Sequence, residues 1–480
     1  MNRKNFLILT SLLLLISTTY LLLGVATYFP AALSSITIVY VYPDNYIANY
    51  VGESFVIQVR VYNVINLTAY QFKLRFSNTL LKCLSASVGT IFPPPPRSNY
   101  TVAINNTEGT IYAQVSLQAG ENPASGSGSL LALTFNATTG TPYPQPRKSC
   151  TLEIFDDYLF GTGNPPQMIQ HETFNGTYQS PYIPPQLTLT LNINRKNVHF
   201  DEKAILNGTL CGNGYPIPDA LVGLEVDTPN GKPIIARSLA TSSLKVTGPI
   251  EILELTPCSL DGTPTYSFKV STIAYFKVKI KNNAPNNLNV TITVNPYDFS
   301  NASLGVASSK TTICSGQTIT VMFSVPIEKT SMSGNATVYA NAFTDLPSYG
   351  GTPLSMEKSA TFIISGSAQG TPTYMSPPPQ GTYITILNIH YTSHSTGNYT
   401  LVVTAQYMGS YATQSKKIFV SILGDINMDG TVNLQDLVLL AKAYGSKPGA
   451  PNWNPKADLD GNGAVGLSDL VLLAKNYGKT

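Results

Sequence analysis

Apolar and polar side chains alternate along most of this chain, and the period changes only near its end. In Ser54-Phe55-Val56-Ile57-Gln58-Val59-Arg60-Val61-Tyr62, positions 55, 57, 59 and 61 are apolar while Gln58 and Arg60 face the other way. That period of two predicts a half-buried strand. Phe72-Lys73-Leu74-Arg75-Phe76 and Leu131-Ala132-Leu133-Thr134-Phe135 repeat it. Many such strands, with turn residues between them and no helical period, predict a β-sandwich over residues 36–179.

Pro181-Tyr182-Ile183-Pro184-Pro185 reads as a linker, after which Leu187 to Ile193 alternates again. Asn207-Gly208-Thr209-Leu210, Ile217 to Val226 and Pro229-Asn230-Gly231-Lys232 look like the first half of an Ig-like sandwich. The closing strand expected of such a sandwich comes only at Gly397 to Ala405. Between them a separate strand series runs from Phe276 to Ile364. We therefore expect one Ig-like domain in two parts, residues 180–243 and 367–423, interrupted by a second at 244–366. Insertion at a loop tip is tolerated because the termini of such sandwiches lie close together. Three consecutive modules are the alternative.

From Gly424 the pattern becomes helical, and one motif is written twice, thirty-three positions apart. In the first copy Asp425, Asn427, Asp429, Asn433 and Asp436 occupy loop positions 1, 3, 5, 9 and 12, with Gly430 at the turn and the carbonyl of Thr431 at position 7. That is the ligand order of an EF-hand loop, and oxygen-only ligation with three carboxylates suits calcium. The second copy places Asp458, Asp460, Asn462 and Asp469 likewise, with Gly463 at the turn and the carbonyl of Ala464 at position 7. Two calcium ions are expected. Gly466 offers no side chain at position 9, so the second site should be the weaker.

Each loop runs into the same helix, LVLLAK. Leu437, Leu440, Ala441 and Tyr444 lie on one stripe, as do Leu470, Leu473, Ala474 and Tyr477, and these are expected to pack the two halves together. Val438, Leu439, Val471 and Leu472 exceed that requirement. They are a candidate partner-binding face, or a wider core face.

No entering helix precedes either loop, and both loops end in Asp rather than Glu. In this, residues 424–480 resemble a type I dockerin domain. The resemblance implies calcium binding and implies that Leu434, Gln435, Leu467 and Ser468, at loop positions 10 and 11, meet a cohesin. The first sandwich in turn resembles a cohesin domain, through Val51-Gly52-Glu53-Ser54-Phe55, Asn63-Val64-Ile65-Asn66-Leu67, Phe72 to Phe76 with Leu80, and Gly128 to Phe135. It departs from that pattern at Ser77-Asn78, where cohesins usually carry Asp-Pro, and in the polyproline loop Pro93 to Pro96. Carbohydrate-binding modules share the same sandwich, which keeps glycan binding open.

Composition adds an address. Of 480 residues only 11% are charged and the net charge is +3, which argues against a nucleic-acid partner and suits an extracellular surface. Arg3 and Lys4 precede an apolar run from Phe6 to Val25, so residues 1–35 read as a cleaved signal peptide or a retained membrane anchor. Export allows disulfides, with Cys83–Cys150 and Cys258–Cys314 the pairs that stay within one module; five buried thiols are the alternative.

No nucleophile signature surrounds His171, His199, His390 or His394, and the last two read as surface or turn residues. Asp156-Asp157 and Asp201-Glu202 would point to opposite faces of a strand, and Glu225 with Asp227 reads as a solvated pair. The expected fold is mainly β, with multidomain β-sandwiches (a cohesin-like jelly roll plus Ig-like domains) and a small α-helical C-terminal calcium-binding dockerin. The expected function is non-catalytic: an extracellular scaffold or adhesion protein assembling through calcium-dependent dockerin–cohesin contact with cohesin-bearing proteins, other copies of itself included. The alternative is a carbohydrate-binding surface protein, acting in polysaccharide attachment or breakdown through its first sandwich.

Overall fold

The computed structural model describes residues 36–93, 97–195, 198–242, 246–366, 378–391 and 394–480. The expected signal or anchor at 1–35 lies outside them, as do Pro94 to Pro96 and the stretches 243–245 and 367–377 at the expected domain joins. Among the described residues no helix is long and apolar enough to cross a membrane. The chain forms two compact units, Met1–Ile183 and Pro184–Thr480.

The first unit is built on β1 (Thr37–Tyr42), β2 (Ser54–Arg75), β3 (Leu81–Val88), β4 (Ser98–Asn105), β5 (Thr110–Leu117), β6 (Ala124–Ala137), β7 (Ser149–Gly161), β8 (His171–Phe174) and β9 (Gly176–Gln179). β2 serves both layers. Its first half pairs with β1 and β6, and its second half with β5 and β7. Between the halves Asn63 and Asn66 adopt left-handed φ of 54° and 56°, which asparagine accepts more readily than most residues. One sheet therefore runs β8-β1-β2-β6-β3 and the other β4-β5-β2-β7-β9. The alternation seen in the sequence is realised: Phe55, Ile57, Val59 and Val61 are buried while Val56 and Tyr62 stand out to solvent. Ile57, Phe72, Leu74, Leu133 and Phe135 fill the core, and the Tyr70 hydroxyl donates to the Leu130 carbonyl at 2.6 Å.

In the second unit, strands distant in sequence share sheets. β10 (Ala204–Gly212) pairs with β20 (Thr382–Leu387), and β11 (Leu221–Asp227) lies between β12 (Pro233–Ala240) and β21 (Gly397–Tyr407). β22 (Ser410–Ser421) pairs with β21 and with Val198–His199. The intervening β13 (Ile250–Cys258), β14 (Thr272–Asn282), β15 (Leu288–Tyr297), β16 (Ala307–Ile313), β17 (Thr318–Ile327), β18 (Gly334–Phe343) and β19 (Lys358–Ser365) pair among themselves and enclose their own core.

The two strand groups meet along a buried polar seam. β12 is the edge of its sheet, and the Asn295 and Asn341 side chains act as a substitute neighbour. Asn341 Oδ1 accepts the Ser238 amide at 2.8 Å and its Nδ2 donates to the Ala236 carbonyl at 3.0 Å; Asn295 Oδ1 accepts the Ala236 amide at 3.3 Å. Arg237 forms a fork with Glu357, 2.6 and 2.7 Å, and its guanidinium lies 3.5 Å from the Tyr339 ring centre. An unpaired edge is thereby covered without a new strand.

All five cysteines are free, which corrects the pairings Cys83–Cys150 and Cys258–Cys314. Cys83 and Cys150 lie on β3 and β7, strands of different sheets. Cys258 Sγ sits 3.4 Å from Met322 Sδ, while Cys314 is exposed. Five buried thiols is not the answer either.

Candidate calcium and docking site

The second unit ends in two helices, α1 (Leu434–Ala443) and α2 (Leu467–Asn476). Strand β22 runs into the first loop through buried Ile422. The two halves are related by reciprocal backbone bonds. The Gly445 amide donates to the Val465 carbonyl at 2.8 Å and the Gly478 amide to the Val432 carbonyl at 2.8 Å. Val465 and Val432 return the bond to Ser446 and Lys479 at 3.0 and 2.9 Å. Each half thus closes the other. Gly445 and Gly478, at φ 79° and 84°, supply the left-handed turn that ends each helix.

The loop-terminal carboxylates do two tasks. Asp436 is fully buried; its Oδ1 accepts the Ile426 and Asn427 amides at 2.7 and 3.1 Å, and its Oδ2 accepts the Asn433 amide at 2.9 Å. Asp469 repeats this with Leu459, Asp460 and Gly466 at 2.6, 3.2 and 2.7 Å. A residue in the first turn of each helix therefore grips the start of its loop. Asn433 caps α1 by accepting the Gln435 amide at 2.7 Å. Gly466, in the same place, has no side chain to do so.

Within the first loop Asp425 accepts the Asp429 and Gly430 amides at 3.1 and 3.0 Å, and Asp429 accepts the Thr431 amide at 2.9 Å. Asn427 Nδ2 donates to Asp429 at 2.7 Å. Burial, with Asp436 and Asp429 close by, pushes the Asp425 pKa up. In the second loop Asp458 accepts the Gly463 amide at 3.0 Å, Asp460 accepts the Asn462 amide at 3.0 Å, and Asn462 accepts the Ala464 amide at 2.9 Å. Carboxylate oxygens of Asp458, Asp460 and Asp469 lie within 4.8 Å of one another. Asp458 Oδ1 is buried without a hydrogen-bond partner. An anionic acceptor facing two other carboxylates and lacking a donor fits a hard cation.

The helix faces depart from the expected stripe. Leu440, Ala443 and Leu473 are buried and Leu437 and Leu470 half-buried, but Ala441, Ala474, Tyr444 and Tyr477 are exposed, the tyrosines by 49% and 52%. Val432, Val465, Ile426 and Ala457 are fully enclosed; these loop residues fill the space a broader helix stripe would have taken. Among the expected contact residues Leu434, Gln435, Val438, Leu467, Ser468 and Val471 are exposed, and Leu439 and Leu472 half-buried.

Elsewhere the candidate chemistry resolves into structure. Asp156 pairs with Lys73 and Asp157 with His171, at 2.9 and 3.0 Å. His390, expected at the surface, is buried between Asp201 at 2.8 Å and Asp298 at 2.6 Å. Asp298 also accepts the Met332 amide at 2.7 Å. His390 thus bridges the two strand groups, a long-range role that its local sequence could not announce. Glu225 and Asp227, expected to be solvated, are buried at 1% and 8% exposure, with Glu225 accepting the Ser348 amide at 2.6 Å. Burial raises the pKa of both, that of Glu225 to about 7.

Residues 45–149 match the family model of the cohesin domain and residues 423–477 that of the dockerin type I domain. No curated protein matches the chain. Among solved structures it is similar to a non-cellulosomal cohesin from the archaeon Archaeoglobus fulgidus, at 17% identity over 31% of this chain and 91% of that one, TM-score 0.25. It is also similar to a type I cohesin–dockerin complex from Clostridium thermocellum, at 16% identity over 31% and 95%, TM-score 0.27. A type I cohesin from Pseudobacteroides cellulosolvens aligns at 21% identity over 31% and 95%, TM-score 0.26. The two family matches fall where the sequence pattern put them. They indicate protein–protein assembly of the cohesin–dockerin type, through modules that are themselves non-catalytic and, for the dockerin type, calcium-binding.

Proposed function

We propose that this chain is a non-catalytic extracellular scaffold or adhesion protein, whose tail, residues 424–480, docks on a cohesin-type sandwich of another chain when its loops hold two calcium ions. The observation that carries this reading is the coupling within each half of the tail. One buried Asp belongs both to a cation loop and to the first turn of a helix whose outer side shows Leu434 and Val438, or Leu467 and Val471. Bound calcium would supply charge neutralisation among the carboxylates. The chain's own residues do the rest: Asp436 and Asp469 hold loop to helix, Leu440 and Leu473 hold helix to core, and the exposed apolar side chains are presented in fixed register. Carrying both halves of a complementary pair, such chains would link head to tail.

The sheet pairing of residues 204–240 with 382–421, around the self-paired strands 250–365, supports residues 244–366 as a domain inserted into an Ig-like host. The buried settings of Glu225, Asp227 and His390 support a structural rather than catalytic use of those groups.

Calorimetric titration of the full chain with isolated cohesin domains, in calcium and in chelator, tests the assembly. Heat of binding in calcium that vanishes in chelator is expected. Binding unchanged by chelator, or unchanged in a chain truncated after Leu423, would sink the reading. A second reading, attachment to a polysaccharide through the first unit, is favoured by exposed aromatic side chains on one of its sheets.

A further inference from the structure

The outer face of the β8-β1-β2-β6-β3 sheet carries three well-exposed aromatic side chains, Tyr42, Tyr62 and Phe174. Strand register places its side chains in rows. Phe174, Tyr40 and Arg60 are successive neighbours across β8, β1 and β2; Tyr42 stands beside Gln58, Ala132 and Ser87; Tyr62 stands beside Ile38 and Glu172. Directly paired residues point to the same side of a sheet, and these alternate with the buried Val39, Val41, Val59 and Val61. Tyr42, Tyr62 and Phe174 are 52%, 47% and 52% exposed. Neighbouring rows lie about 7 Å apart along a strand and neighbouring strands about 4.8 Å apart, so the rings form a shallow platform rather than a pocket.

Polar groups are built among them. The Arg60 guanidinium lies 5.3 Å from the Tyr42 ring centre, and its Nε is buried without a hydrogen-bond partner. Gln58, half-buried between Tyr42 and Ala132, adds an amide. In these rows Arg60 is the one cation and Glu172 the one anion, and Lys82 lies three rows beyond Arg60 beside Asn136, so the aromatic rows themselves carry no net charge with which to draw an acidic or basic partner. Flat rings, an unused donor, an amide and neutrality together match an uncharged, hydroxyl-rich polymer: apolar C–H faces lie on the rings while hydroxyls reach Arg60 and Gln58.

We propose that this face binds a neutral, ribbon-like β-linked polysaccharide, with Tyr42, Phe174 and Tyr62 as stacking platforms and Arg60 and Gln58 as hydrogen-bonding residues. It rests on the second reading above and gives that reading its residues. A flat ribbon can lie across several rows, whereas a coiled α-linked chain meets one ring at a time.

The test is depletion of the full chain from solution by insoluble cellulose, with insoluble starch as the coiled control, in calcium throughout. The wild type should bind cellulose and not starch. Tyr42→Ala with Phe174→Ala should weaken binding by roughly tenfold or more, and Tyr42→Phe should retain it. Tyr158→Ala with Phe160→Ala, on the opposite sheet, should leave it unchanged. An unaltered β-sheet circular dichroism spectrum and an unaltered thermal melt show that each variant is folded. No binding of wild type to cellulose would overturn both this assignment and the neutral-polysaccharide reading. Binding that survives loss of Tyr42 and Phe174 would overturn the assignment alone. Self-association of the chain abolished by the same pair would make the face a protein interface and overturn it equally.

Discussion

His390 carries its proton in a closed setting. Burial works against the charge, but hydrogen bonds and attraction from Asp201 and Asp298 outweigh it and raise the pKa to about 9, from an ordinary 6.5. The neighbouring His394, half-buried and near the charges of His390 and Lys232, is instead depressed to about 4, chiefly by desolvation. Because the folded value of His390 lies above the unfolded one, its contribution is fully present below pH 6.5 and is lost as pH rises through about 9. Asp298 has a lowered pKa, through His390 and the amides it accepts once burial is offset, so its contribution is lost on acidification. Thermal melts of the second unit should therefore fall on both sides of neutrality. His390→Ala, which leaves buried Asp298 its amide donors but removes its charged partner, should cost about 3–5 kcal/mol at pH 7; a melting temperature within a degree of wild type would refute the clasp.

Glu225 has the opposite sign of interest. Its raised pKa means that the fold prefers the neutral acid, so stability declines from pH 4.5 to about 7 and then levels. Glu225→Gln keeps an acceptor for the Ser348 amide without the charge. It should stabilise the chain at pH 8 by on the order of 1–3 kcal/mol, and denaturant midpoints at pH 4 and pH 8 measure the difference. None of this was visible in the residues alone. An alternating strand shows which side chains share a face, but every residue of β11 is buried, with Ser348 packed over Glu225, so both its faces are covered.

At the scale of elements, the two helices show where periodicity succeeds and where it slips. The existence, length and duplication of α1 and α2 follow from the repeated LVLLAK and its loops. The buried arc does not, because it depends on what else fills the small core. Val432 and Val465, bridged to Lys479 and Ser446, occupy it, leaving Tyr444 and Tyr477 outside. Val438→Asp combined with Val471→Asp should therefore abolish cohesin binding in the calorimetric assay while leaving far-ultraviolet helical signal intact. Loss of the helix signal would place both valines in the core instead. A single substitution should weaken binding less, since the other half presents an equivalent face.

For the whole molecule, the seam between residues 204–240 and 250–365 should make the second unit unfold cooperatively. Excising residues 246–366 would bare the β12 edge and strip Arg237 of Glu357 and Tyr339. Such a chain should aggregate in light scattering, as unprotected edges do, whereas independent melting and solubility of the remainder would show the strand groups to be separable. The sequence by itself determined the alternating strands, the duplicated oxygen-rich loops and the cohesin-like and dockerin-like segments, because periods of two and of 3.6 and the spacing of loop ligands are local properties. Only the tertiary structure decided that Asn295 and Asn341 finish a sheet, that His390 joins Asp201 to Asp298, that the cysteines stay apart, and that Tyr42, Tyr62 and Phe174 share one face with Arg60. Each of these depends on which distant strands become neighbours, and pairing between strands is settled by the packing of the whole chain rather than by any stretch of it.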